Sequence, residues 1–299
     1  MFYYNQDLIL KGLILIKFFL FILLIIFACI YALPLCFLPR FRSPINTMTI
    51  HVCLAFIGSA IFWMIIYMLN LHRGTVYNII SQEPCSISSS IETILNCLVI
   101  YSLCTVSINR LCSIKYSNRI IFKSQRWAFV CIGITWLITL FVSIPLLISW
   151  NKTICVKMFS KTIFREIYIQ IIVVICPTII FALINILIFI YIRQSSRRIQ
   201  RNTTIRKIII NNRDIRLLKH MILIFVIFLS GWSPIYILIC IDYNNELSPT
   251  IYRFLSILPA LSLLGNMIDL LLFNHQLRLF FRQLFIVRNN RIQTIINRS

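Results

Sequence analysis

The sequence has little charge, few acidic residues and little glycine. Only 12% of its 299 residues are charged and 60% are hydrophobic, whereas a soluble domain carries about twice that share of charge. So few charges cannot cover a water-soluble fold of this size, which argues against a soluble protein. Six glycines are few for the tight turns of a membrane barrel, and the apolar runs are continuous rather than alternating. The sequence therefore predicts membrane-spanning helices.

Seven apolar runs are long enough to cross a bilayer core of about 30 Å, which takes about 20 helical residues. A short basic amphipathic helix on the inner leaflet is predicted after them, at about 276–286. We expect an all-α integral membrane protein, a seven-transmembrane-helix bundle that forms a single domain over residues 1–299. The predicted spans are 9–38, 46–70, 86–110, 128–149, 167–192, 218–241 and 251–273.

The basic residues are unevenly distributed between the two sides of the membrane. The net charge is +21, and 21 of the 29 Lys and Arg residues fall on one side if the N-terminus lies outside. Because basic loops stay in the cytoplasm, this predicts an N-terminus outside and a C-terminus in the cytoplasm. The remaining eight lie outside or in helix one. The basic segments meet anionic lipid and lack a domain of their own, so we expect no nucleic-acid partner.

The second outer loop carries two features that suit an extracellular position. The sequon at Asn151 lies there and predicts glycosylation. Cys85 and Cys155 lie at the outer edges of apolar runs, where the oxidising side permits a disulfide, although two free thiols remain the alternative. This loop is also basic, through Lys152, Lys157, Lys161 and Arg165.

The third run is the least apolar of the seven and carries both Glu92 and Asn96. A segment this polar cannot face lipid all round, so we expect it at the centre of the bundle. Cys85 opens it and Arg110 closes it 25 residues later, a length of about 37 Å, one membrane crossing with tilt.

At these residues the chain resembles the rhodopsin-like family of G-protein-coupled receptors, in which a Cys begins helix three and Asp-Arg-Tyr ends it. Departures accompany the likeness: Gly58 stands where the family has a sodium-coordinating Asp, and Leu270 and Phe273 replace the Pro and Tyr of helix seven. The matching features are Cys85, the triplet Asn109-Arg110-Leu111, Trp136, Pro145, Pro177, the Phe228–Pro234 segment, the Asp269–Phe273 segment and Phe280.

The resemblance implies a role for each candidate residue. A Cys85–Cys155 disulfide would hold the second outer loop over a ligand pocket among helices three, five, six and seven. The expected pocket residues are Glu92, Asn96, Phe228, Trp232 and Tyr236, and those of G-protein coupling and switching are Asn109, Arg110, Asp214, Asp269 and Phe273. Helix kinks are expected at Pro145, Pro177 and Pro234.

Simpler interpretations stand beside these roles. Glu92 and Asp269 could each be a buried, hydrogen-bonded structural acid, and the aromatic stripe of helix six could be plain core. Asp214 lies 18 residues, or five helical turns, before Trp232 and so faces the same way. It is then an ionic partner for Arg110 in the inactive state, unless it merely offsets its basic neighbours.

The leading hypothesis is a receptor that binds an extracellular ligand, such as a cationic amine or a small peptide, and signals to a heterotrimeric G protein. The alternative is a multi-span transporter or channel, but only Glu92 and Asp269 are acidic at depth, and no two-fold repeat is visible. An enzyme is not expected, and neither is a metal or another cofactor, because the four His residues are dispersed along the chain.

Overall fold

The computed structural model describes residues 2–41, 43–72, 82–116, 119–148, 163–199, 205–242, 249–274 and 277–283. These residues are almost entirely helical, and none of them forms a strand. Five of the long helices are continuous: helix one is Phe2–Phe37, helix two Pro44–His72, helix three Gln82–Lys115, helix four Gln125–Ile148 and helix six Ile205–Ile241.

Helices five and seven are interrupted. Helix five consists of Ile163–Gln170, a π-helical turn at Ile171–Ile175, and Cys176–Ile199. Helix seven consists of Pro249–Leu255 and Ile257–Phe273, which are separated at Ser256. Short 3₁₀ turns at Pro39–Phe41 and Ile120–Lys123 lie in the connections that follow helices one and three.

Each predicted span overlaps one helical stretch that is long and apolar enough to cross a membrane. The prediction of an all-helical seven-transmembrane bundle is confirmed, with bounds that shift by a few residues. The seven stretches are Lys11–Phe37, Pro44–Leu69, Ser90–Lys115, Gln125–Pro145, Ile167–Tyr191, Ile222–Ile241 and Thr250–Phe273.

Helix three continues five residues beyond the predicted end at Arg110, as far as Lys115. Leu111 and Ile114 of this extra turn pack against the buried pair Ile184 and Ile188 of helix five. The added apolar contact accounts for the extension, since hydropathy alone ended the run at the first charge.

Helix three lies at the centre of the bundle and contacts helices two, four and five. Of its apolar stretch 61% is buried inside the protein, against 22–44% for the other six helices. Its buried polar side chains include Thr93, Asn96, Ser102 and Ser107. A hydroxyl cannot be satisfied by lipid, so the most polar helix is the one surrounded by protein.

Helix four shows the opposite balance, with one face towards lipid. Phe129, Leu137 and Phe141 are exposed, whereas small or polar residues such as Thr135 are buried. Thr105 of helix three and Thr135 lie with their hydroxyl oxygens 2.6 Å apart. Small and hydroxyl-bearing residues are typical of contacts between membrane helices, because they let the two backbones approach closely.

Of the three predicted kink prolines, Pro145 and Pro234 lie within helices four and six, and Pro177 follows the π turn of helix five. In the π register the carbonyl of Ile172 would accept from the N–H of residue 177, which proline lacks. The hydroxyl of Tyr101 donates to that carbonyl instead, at 3.2 Å. Helix three therefore satisfies a backbone group that the proline leaves free.

The amphipathic helix after helix seven is present over 277–283, within its predicted range. Leu277 is fully buried, whereas Arg278, Leu279 and Arg282 are exposed. Its Phe280 ring packs edge-on against Phe41, with centroids 5.8 Å apart. The helix is thus anchored to the turn that follows helix one.

Helices six and seven pack closely at Gly231. A Cβ at this position would overlap the Cβ of Ser262 and lie 2.9 Å from the carbonyl oxygen of Leu258. Gly231→Ala should therefore force the helices apart and destabilise the protein by about 1–3 kcal/mol, as overpacking does. Thermal unfolding of the purified protein in detergent measures this as a lower Tm.

Gly133→Ala is the matched control, because nothing lies within 4 Å of the Cβ that it would add. It should leave the Tm unchanged or raise it slightly, since alanine is the better helix former. Equal Tm values for the two variants would contradict the close packing of helices six and seven.

Candidate functional site

A cavity of about 100 Å³ lies between helices one, two, three, six and seven. It occupies the half of the bundle that contains the start of helix three and the start of helix seven. Most of its walls are apolar or aromatic, and Glu92 is its one carboxylate among the described residues. The lining residues are Phe21, Trp63, Tyr67, Glu92, Trp232, Ile235, Tyr236, Ile239, Ser256, Pro259, Ala260 and Leu263.

The helix-six wall of the cavity is an aromatic stack. Trp232 lies between Phe228 and Tyr236, with ring centroids 5.7 Å and 6.0 Å away. The indole Nε1 of Trp232 is buried and has no hydrogen-bond partner among the described residues. Buried indole N–H groups are usually paired, so this donor is available to a bound molecule.

The predicted pocket residues are partly brought together. Glu92, Trp232 and Tyr236 line the cavity, while Phe228 is buried below Trp232 and Asn96 is buried in helix three away from the lining. The cavity also differs in position from the expected pocket. Among the described residues, Phe21 of helix one and Trp63 and Tyr67 of helix two line it, and no residue of helix five does.

Lys17 is a further charged group beside the cavity, and sequence reasoning did not single it out. It lies in helix one with 3% of its surface exposed. Its ammonium donates a hydrogen bond to the hydroxyl of Ser256 and lies 5.1 Å from the centroid of the Tyr67 ring. Its position could have identified it, because a charged residue within an apolar span is a candidate functional residue, as Glu92 and Asp269 are.

At the other end of the bundle, His220 of helix six meets Asp269 of helix seven. The Nε2 atom of His220 lies 2.8 Å from Oδ2 of Asp269, and both side chains are almost fully buried. The imidazole also stacks on Phe273, with centroids 4.2 Å apart. Asp269 and Phe273 were predicted as switch residues, whereas His220 was not, because its partner is on another helix.

Arg110 lies beside this pair. Its Nη1 atom is buried without a hydrogen-bond partner among the described residues, and its charge interacts with Tyr31 and Asp269. The hydroxyl of Tyr31 accepts a hydrogen bond from Nδ2 of Asn274 at 3.0 Å. Helices one, three, six and seven therefore meet around a single buried polar cluster.

Asn109, the neighbour of Arg110, has a separate role. Its Oδ1 atom accepts a hydrogen bond from the indole Nε1 of Trp127 in helix four, at 3.1 Å. Asn109 is thus a contact between helices three and four, and its neutral side chain leaves Arg110 without an adjacent carboxylate.

Four predicted residues fall outside the part of the chain whose side chains are described. Cys155 and Asn151 lie in the segment between 148 and 163, and the side chains of Cys85 and Asp214 are likewise not described. The disulfide, the glycosylation site and the Arg110–Asp214 contact remain predictions.

The model of the family described as 7 transmembrane receptor (rhodopsin family) matches residues 30–269. The match covers most of the chain, which therefore belongs to the rhodopsin family of seven-transmembrane receptors. No curated protein sequence matches the chain. Members of this family are typically receptors rather than enzymes, and the match does not favour the transporter or channel alternative.

The contact between His220 and Asp269 can be tested by a double-mutant cycle. His220→Phe keeps the ring on Phe273 but removes the nitrogen, and Asp269→Asn removes the charge. Each change should lower stability by about 1–3 kcal/mol, because it leaves the other buried group without its partner. The double variant should lose little more than one single variant, since both changes break one contact. Thermal unfolding measures the stability of the wild type, the two single variants and the double variant. Strictly additive losses of stability would show that the two residues act independently.

Proposed function

We propose that this chain is a plasma-membrane receptor that binds an extracellular ligand in the cavity and signals to a heterotrimeric G protein. Its N-terminus lies outside and its C-terminus in the cytoplasm. The observation that carries the proposal is the buried His220–Asp269 contact beside Arg110. It joins helices six and seven at the end of the bundle opposite to the cavity.

Helix six connects the two sites. It carries Trp232 in the cavity wall and His220 twelve residues earlier, about 18 Å along the helix. Pro234 removes one backbone hydrogen bond next to Trp232, which lets the helix bend there. Outward movement of the His220 half would separate His220 from Asp269 and open the surface around Arg110 to a G protein.

A ligand drives this movement only if it binds the open form more tightly than the closed form. The aromatic stack supplies such a difference, because a molecule against Trp232 contacts the bending segment directly. Glu92 on the opposite wall favours a ligand with a cationic group, such as an amine or a small peptide, since a carboxylate in an apolar cavity attracts a positive charge strongly.

Asp269→Asn should raise ligand-independent signalling, because it weakens a contact that exists in the closed form alone. Loss of about 1 kcal/mol from the closed form would increase the open population about fivefold. The measurement is basal output in cells that report several G-protein pathways, at matched surface expression.

Asp242→Asn is the matched control, with the same chemical change at the other end of helix six. Asp242 accepts a hydrogen bond from the hydroxyl of Tyr252 at 2.5 Å and directly follows the end of helix six that is opposite to the His220–Asp269 contact. It should leave basal output at the wild-type level. Equal basal output from wild type and Asp269→Asn, both well expressed, would count against the proposed switch.

A further inference from the structure

The ammonium of Lys17 is buried in an apolar helix and has no opposite charge beside it among the described residues. Among the described residues its partners are the Ser256 hydroxyl and the Tyr67 ring, both of them neutral, and no carboxylate lies within ion-pair distance. Arg253 adds a second positive charge near it. An apolar residue at position 17 would suit a membrane-spanning helix better, so the presence of a lysine needs an explanation.

Such a group is costly to keep. A buried charge without a counterion loses its hydration, and a hydroxyl and an aromatic ring compensate for this loss only in part. An ammonium has three N–H donors, and the described hydrogen bonds use one of them. Lys17 therefore retains capacity for an anionic partner.

The position of Lys17 connects it to the cavity. Ser256 and Tyr67, the two residues that it contacts, both line the cavity. Glu92 lines the same cavity from helix three and interacts electrostatically with Tyr67. A positive group on helix one thus lies beside the cavity, directly behind Ser256 and Tyr67, and a negative group on helix three lines it.

We propose that the ligand is a small dipolar molecule that bears both an acidic and a basic group. Its carboxylate meets Lys17 and Ser256, its ammonium meets Glu92, and its apolar body lies against Trp232. This inference rests on the proposed function, in that it assigns the ligand to the same cavity. The basic residues before helix five and in its first turn, Lys152, Lys157, Lys161 and Arg165, would attract the acidic group during approach.

Matched compounds separate the contributions of the two charges. Each of phenylalanine, tyrosine and tryptophan is compared with two of its own derivatives, and the three compounds form a trio. The N-acetyl derivative keeps only the acidic group, and the amide keeps only the basic group. Thermal stabilisation of the purified full-length receptor by each compound at millimolar concentration measures binding without a G protein. The free amino acid of at least one trio should stabilise the receptor more than its amide and more than its N-acetyl derivative.

Three substitutions assign this difference to residues. Lys17→Met should remove the advantage of the amino acid over its amide and weaken its binding about tenfold or more, as truncation of a buried charge pair does. Lys17→Arg should retain the advantage, since it keeps the charge. Glu92→Gln should instead remove the advantage of the amino acid over its N-acetyl derivative. Lys11→Met, an exposed position on the same helix, should change neither.

Unfolding without added compounds distinguishes a binding role from a structural role. If Lys17 is kept for a ligand, Lys17→Met should raise the Tm of the empty receptor, because it removes an uncompensated charge. A lower Tm together with an unchanged preference within the trios would overturn the proposal. So would the failure of every carboxylate-bearing compound to stabilise the wild type. Neither result affects the signalling of Asp269→Asn, which tests the receptor function separately.

Discussion

Hydrocarbon offers no partner to a hydrogen-bonding group, and this constraint arranges the whole bundle. Helix three, the most polar helix, is the most enclosed, while helix four turns its large apolar side chains outwards. Three charged residues deep within the spans follow the same rule. Lys17, Arg110 and Asp269 all turn towards neighbouring helices, and the polar atoms that remain without partners among the described residues are where ligands or moving parts can act.

Two polar sites result, one at each end of the bundle, and helices six and seven connect them. Gly231 brings the two helices into close contact next to Trp232. Because little free space remains between the helices there, a movement of the indole must displace its neighbours. At the other end the helices are joined through His220 and Asp269. In the proposed function, displacement at the cavity is transmitted along helix six to the His220–Asp269 contact, which is either formed or broken.

Hydropathy predicted the seven spans well because their length and apolar content are set by the bilayer. It could not predict the side-chain pairs. Helices that are apolar on every side have no hydrophobic face to indicate their rotation, so nothing in the sequence showed that His220 would meet Asp269 or that Lys17 would reach Ser256. The π turn before Pro177 was equally hidden, since it depends on the hydroxyl of Tyr101 in another helix.

The most direct measurement is nucleotide exchange by purified heterotrimeric G proteins of each class, with the receptor in lipid nanodiscs. Asp269→Asn makes this possible without a known ligand. We expect it to accelerate exchange on at least one class above the wild-type rate, and we expect Arg110→Ala in the same background to abolish the acceleration. If a folded, monodisperse Asp269→Asn receptor accelerates exchange on no class, the account of this chain as a G-protein-coupled receptor switched at that contact is contradicted.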